Sequence, residues 1–137
     1  MSAKRRAALN LLERLERHEM EAQSRKLGQL RDEMAKLEQR RDGLLEDLHN
    51  NAHVTGIESA PYVGTYVRSV RRSVAGLETA ISGMTPQVQK LEEAVLDRFR
   101  SIKTFESARL RSAARDAADR AAREAADRDE MVLLRWG

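Results

Sequence analysis

The sequence predicts an all-α fold, an antiparallel two-helix coiled-coil hairpin with an extended C-terminal helix, on three observations. Apolar residues recur alternately three and four apart at Leu27, Leu30, Met34, Leu37, Leu44 and Leu48, with Arg41 filling one step. The same spacing returns at Val67, Val70, Val74, Leu77, Ile81, Met84, Val88, Leu91, Val95, Ile102 and Phe105, with Arg98 filling one step. That average of about 3.5 residues keeps one seam of a helix turned toward a partner helix. Between the two runs stands a single cluster of turn residues, so the simplest outcome is one chain folding back on itself.

Helix one is expected over about 3–50. Ser2 can cap it, and nothing before Gly56 is a strong stop. Its seam is regular from Leu27 to Leu48. Upstream, Leu9, Leu12, Leu15, Met20 and Gln23 are the candidates, crowded by Glu16, Glu19 and Arg25, so looser packing is expected there. Gly28 and Gly43 each cost roughly 1 kcal/mol relative to Ala in a helix interior.

The turn is placed at about 51–60, where Asn50, Asn51, Thr55, Gly56 and Ser59 collect. Ser59 with Pro61 suits the start of a new helix. Helix two is expected over about 61–130, with a kink near Pro86, which cannot donate to Ser82 and crowds its carbonyl. The seam keeps phase across Pro86, which argues for one bent helix. The whole of 1–137 then forms a single coiled-coil domain.

After Leu110 the pattern changes. Paired alanines recur every four residues from Ala113 to Ala126. Between them Arg115 and Asp119, Asp116 and Arg120, Asp119 and Arg123, Arg120 and Glu124, Arg123 and Asp127, and Glu124 and Arg128 are i, i+4 neighbours of opposite sign. Such pairs stabilise a helix by about 0.2–0.5 kcal/mol each, and alanine has the highest intrinsic propensity. A turn centred near Gly56 places position i opposite 112 − i. Helix one then runs out opposite about residue 109, and the last ~25 residues project some ~35–40 Å at ~1.5 Å per residue.

Composition narrows the function. Charged residues make up 34% of the 137 and aromatics 4%, and the net charge is +3 from 25 Lys and Arg against 22 Asp and Glu. That is a long-helix composition, and the slight basic excess does not amount to a nucleic-acid face. Without cysteine there is no disulfide framework, which suits a reducing compartment. Polar residues interrupt Leu9, Leu11, Leu12 and Leu15, so neither a secretory leader nor a spanning segment is expected, and a cytoplasmic location follows.

No phosphate loop or nucleophile elbow is present, and a two-helix pair offers little concave surface, so enzymatic activity and cofactors are not expected. His49 and His53 have the i, i+4 spacing of two metal ligands but lack the further ligands a zinc site requires. Polar residues at a helix end are the simpler account of them, and His18 stands among charges. The basic clusters Arg40-Arg41 and Arg68-Arg71-Arg72 are expected near each other across the pair, as a solvated face or a surface for an acidic partner. Tyr62 falls off the seam, whereas Val63, Tyr66 and Val70 can fill it. An exposed Tyr beside arginines is also a typical anchor for a protein partner. Met131, Leu134 and Trp136 close the chain in an apolar cluster with nothing internal to cover.

This layout resembles the flagellar export protein FliJ family and related coiled-coil stalk proteins of type III secretion. The residues that carry the likeness are Tyr62-Val63-Gly64-Thr65-Tyr66-Val67, Leu91-Glu92-Glu93-Ala94, Arg100-Ser101-Ile102-Lys103-Thr104-Phe105-Glu106 and a long charged helix closing in Asp129-Glu130-Met131. The alanine repeat and Pro86 depart from it. The resemblance implies a non-enzymatic stalk, similar to the central stalk subunit of rotary ATPases, serving flagellum biogenesis and motility. Its partners would be the hexameric export ATPase, the cytoplasmic domain of the export gate and export chaperones, at the cytoplasmic face of the inner membrane. The family's gate-binding surface lies on the turn-proximal half. Here that half carries Arg40, Arg41, Leu44, Tyr62, Tyr66, Val70, Arg71 and Arg72, while Met131, Leu134 and Trp136 offer a second contact at the far end. Two other functions fit the same residues: an oligomeric scaffold in which the seams pair between chains, and a nucleic-acid-binding coiled coil.

Overall fold

The computed structural model describes residues 3–51 and 60–136. It is all-α, with helix α1 over Ala3–Asn51 and helix α2 over Ala60–Trp136 packed against each other. The capping residues Ser2 and Ser59, and His53, lie outside the described residues. Helix α2 continues unbroken through Pro86 and runs six residues past the expected end. Around the proline, side chains bond to backbone carbonyls: Thr85 Oγ1 donates to Ile81 O at 3.0 Å and Gln87 Nε2 to Gly83 O at 3.3 Å. These bonds engage carbonyls on either side of Ser82, whose own helical donor the proline ring removes.

The chain divides into two compact units, one of residues 22–95 and one of 1–21 with 96–137. In the unit of 22–95 the core is the expected apolar seam, with Leu27, Val70, Val74 and Val88 buried. Leu30, Met34, Leu37, Leu44, Leu48, Leu77, Ile81, Met84 and Leu91 are half-buried around them. Lys26 and Leu30 lie beside Gln87, Lys90, Leu91 and Ala94, and Arg40 and Leu44 beside Ser73, Gly76 and Leu77. Rising numbers on α1 meet falling numbers on α2, so the helices are antiparallel.

In the unit of 1–21 and 96–137 the 3–4 spacing persists but the residues change character. Arg6, Leu9, Glu13, Glu16 and Met20 face Arg98, Ile102, Phe105, Arg109, Ser112 and Asp116. Among the described residues of this unit only Ile102, 1% exposed, is a fully enclosed apolar side chain. Leu12 and Leu15, expected in the seam, are 43% and 53% exposed, and Leu11 is 55% exposed. The physical reason is phase. Stepping back from Leu27 by the fixed alternation of four and three reaches Gln23, Met20, Glu16, Glu13, Leu9 and Arg6, so the leucines between them turn outward.

The register also differs from a turn-centred one. Arg31 would face position 81, yet its Nη2 meets Glu92 Oε1 at 2.6 Å; Arg6 would face 106 and meets Asp116. Part of the offset comes from side chains leaning toward the N-terminus of their own helix, which in an antiparallel pair adds to the sum of facing numbers. Pairing therefore reaches Asp116 rather than ending near residue 109. The unaccompanied part of α2 is 117–136, some ~30 Å at ~1.5 Å per residue, in which every residue but the half-buried Ala125 is exposed.

Two outcomes test this packing. Ile102→Ala should lower unfolding free energy by about 2–5 kcal/mol, whereas Tyr62→Ala, at a side chain 79% exposed, should change it by less than about 0.5 kcal/mol in urea titrations followed by circular dichroism. A Cβ built at Gly28 or Gly43 meets nothing within 4 Å. Gly28→Ala and Gly43→Ala should therefore each stabilise by about 0.5–1 kcal/mol in the same titration.

Candidate interaction surfaces

The turn-proximal residues separate into interior and surface. Val70 is only 6% exposed and fills the core of its unit, so it cannot be a partner contact. Arg41 occupies the seam, half-buried, with Nε 3.1 Å from Asp42 Oδ1. Leu44 is half-buried and, with Arg40, borders a shallow groove whose other wall is Ser73, Gly76 and Leu77. Arg71 and Arg72 are exposed. Arg40 thus borders the same groove as Ser73, the residue that follows Arg72. Tyr66, a candidate for the seam, is 36% exposed, and Val63, Gly64 and Val67 are half-buried instead. Both tyrosines are surface groups at the opening of α2.

The unit of 1–21 and 96–137 holds a network of charges that the apolar pattern did not announce. Glu13 accepts from Arg17 Nη2 at 3.1 Å and from Arg109 Nε at 3.0 Å. Arg17 also reaches Glu106 at 3.5 Å, and Glu106 accepts from Lys103 Nζ at 3.3 Å. Lys103 in turn sits 5.5 Å from the centre of the Phe99 ring, within cation–π range. Arg98 meets Glu16 at 3.0 Å and Arg6 meets Asp116 at 2.9 Å. The signal was available in the sequence: charged residues at seam positions on both helices, with signs that match once the register is known.

Glu13 is nearly enclosed, and its carboxyl is held below the ordinary 4.5, first by the hydrogen bond from Arg17 and next by that from Arg109, against the opposing effect of burial. Ser112 of the same unit is also buried, and its Oγ makes no hydrogen bond among the described residues.

The same unit also exposes large apolar groups. Leu11, Leu12 and Leu15 turn outward on α1; Leu96, Phe99 and Leu110 do so on α2. At the end of α2, Met131, Leu134 and Trp136 are 68%, 77% and 87% exposed, without cover from either helix. The alternating charges of the alanine segment do not close on each other as the i, i+4 spacing suggested. Arg123 Nε and Arg128 Nε instead point to the backbone oxygens of Asp119 and Glu124, at 3.5 Å and 3.4 Å. Exposed ion pairs of this kind are nearly balanced by solvation, so a carbonyl competes successfully.

Among the described residues no group of three or more His, Asp or Glu side chains converges as a metal site would require, and no helix is long and apolar enough to cross a membrane. Compared with protein-family models, with curated proteins and with solved structures, the chain matches none.

The lowered Glu13 value fixes the sign of a pH effect. A carboxyl that ionises more readily folded than unfolded adds stability above its unfolded value, and that contribution disappears as pH falls through the folded value. Unfolding at pH 7 and across the range below 4.5 should show stability dropping with acid. Glu13→Gln should be less stable at pH 7 and should show a shallower loss on acidification.

Proposed function

We propose that this chain is a non-enzymatic coupling component of the flagellar type III protein export apparatus. It would link the hexameric export ATPase to the cytoplasmic domain of the export gate and handle substrate chaperones, at the cytoplasmic face of the inner membrane. The observation that supports this best is the division of α2 into a stretch paired with α1 and a helix beyond Asp116 that carries exposed Met131, Leu134 and Trp136. A helix held by a partner at one stretch and bare at the next can transmit a displacement from one protein to another without a reacting group of its own. The exposed Tyr62 and Tyr66, and the exposed Arg71 and Arg72 further along α2, supply aromatic and basic groups suited to an acidic face of the gate.

A second function, an oligomeric coiled-coil scaffold, is favoured by the leucines of α1 that face outward. It would pair the seams of Leu27 to Leu48 and Val67 to Ile102 between copies of the chain and leave export untouched.

Steady-state ATP hydrolysis by the purified export ATPase, with and without this chain, separates the two. Export coupling predicts a faster rate and retention of the chain on immobilised gate domain, with retention reduced at least tenfold by Tyr62→Ala combined with Arg71→Glu. An unchanged hydrolysis rate together with no retention would reject it.

A further inference from the structure

We propose that residues 3–21 of α1 form an ionic clasp on α2, which closes at low ionic strength and releases α2 at high ionic strength while the pairing in 22–95 persists. This goes beyond the export proposal, and its test contains no export protein, so either can fail alone.

The starting point is what holds the unit of 1–21 and 96–137 together. Ion pairs cross between its helices from Arg6 to Asp116 at 2.9 Å, Glu13 to Arg109 at 3.0 Å, Glu16 to Arg98 at 3.0 Å and Arg17 to Glu106 at 3.5 Å. Glu13 apart, these side chains keep 22% to 47% of their surface exposed. Charges so placed are open to screening by dissolved salt.

Apolar packing beside them is sparse. Ile102 is enclosed, Leu9, Met20 and Phe105 are half-buried, and Leu11, Leu12 and Leu15 face away. Two polar groups weigh against closure. Arg6 Nε and Ser112 Oγ are buried without a hydrogen bond among the described residues, and separation of the helices gives both to water. The segment therefore closes by a narrow margin, and the ion pairs decide it.

Ionic strength acts on that margin. The screening length falls from about 30 Å at roughly 0.01 M salt to about 3 Å at roughly 1 M, which weakens partly exposed pairs most. In the unit of 22–95 buried Leu27, Val70, Val74 and Val88 hold the helices, and screening leaves apolar burial in place. Opening is thus confined to the segment of 3–21. It extends the bare part of α2 back from Ala117 to Leu96 and uncovers Ile102 and Phe105.

The test uses the full chain, in which no native cysteine interferes. Nitroxides at Asn10 and Ser107, both exposed, report the clasp, and a second pair at Glu33 and Gln89, also exposed, reports the unit of 22–95. Between about 0.01 M and about 1 M salt the fraction of long 10/107 distances should rise about fivefold or more, while the 33/89 distances stay fixed. Glu16→Arg sets like charges together at Arg98 and should open the clasp in low salt; adding Arg98→Glu should close it again. Glu13→Leu with Arg109→Leu should reduce opening in high salt, because an apolar pair is not screened. A 10/107 distance that ignores salt would overturn the proposal. So would a 33/89 distance that lengthens to the same extent, or a Glu16→Arg variant that stays closed.

Discussion

The register between α1 and α2 is the constraint on which the other features depend. A helix can present only one stripe to one neighbour, and the alternation of three and four residues fixes that stripe over its whole length. In the unit of 22–95 the stripe is apolar, and burial of Leu27, Val70, Val74 and Val88 follows directly. In the other unit the same phase delivers Arg6, Glu13, Glu16, Arg98, Arg109 and Asp116, and the helices meet through ion pairs. Half-buried ion pairs add little net stability, because desolvation offsets much of their attraction. They are costly to mismatch, however, so the charges discriminate between registers more than they strengthen any one of them.

This exchange of roles explains the outer surface. A helix with leucines off its seam and carboxylates in it is poorly built to be stable with one neighbour alone. Leu11, Leu12 and Leu15 are left outside because the seam is already committed, and the bare end of α2 adds Met131, Leu133, Leu134 and Trp136. These apolar groups are exposed to solvent, which burial against another protein would relieve.

Most of the fold was legible in the sequence because periodicity determines it. The two helices, their order, the passage of α2 through Pro86 and the seam residues from Leu27 to Leu48 and from Val67 to Phe105 all follow from spacing. The upstream seam was misassigned where hydrophobicity and phase disagree: Leu12 and Leu15 are apolar but out of step, while Glu13 and Glu16 are in step but charged. The register was misplaced because a turn midpoint counts residues, whereas the pairing is set by side-chain geometry across the seam. Val70 belongs both to the apolar seam and to the half that the resemblance assigns to a partner, and its phase places it in the core. The signs of Arg98 and Glu16, or of Arg109 and Glu13, would have revealed the ion pairs only to a reader who already knew the register.

Distance measurement by electron spin resonance in the unit of 22–95 tests that register most directly. One nitroxide at position 31 is combined with a second at either Glu92 or Ser82, both exposed sites on α2. The Arg31–Glu92 ion pair requires the 31/92 distance to be the shorter, with 31/82 longer by roughly 10 Å given a rise of about 1.5 Å per residue. A shorter 31/82 distance would contradict the register and, with it, the assignment of every ion pair and exposed leucine built on it.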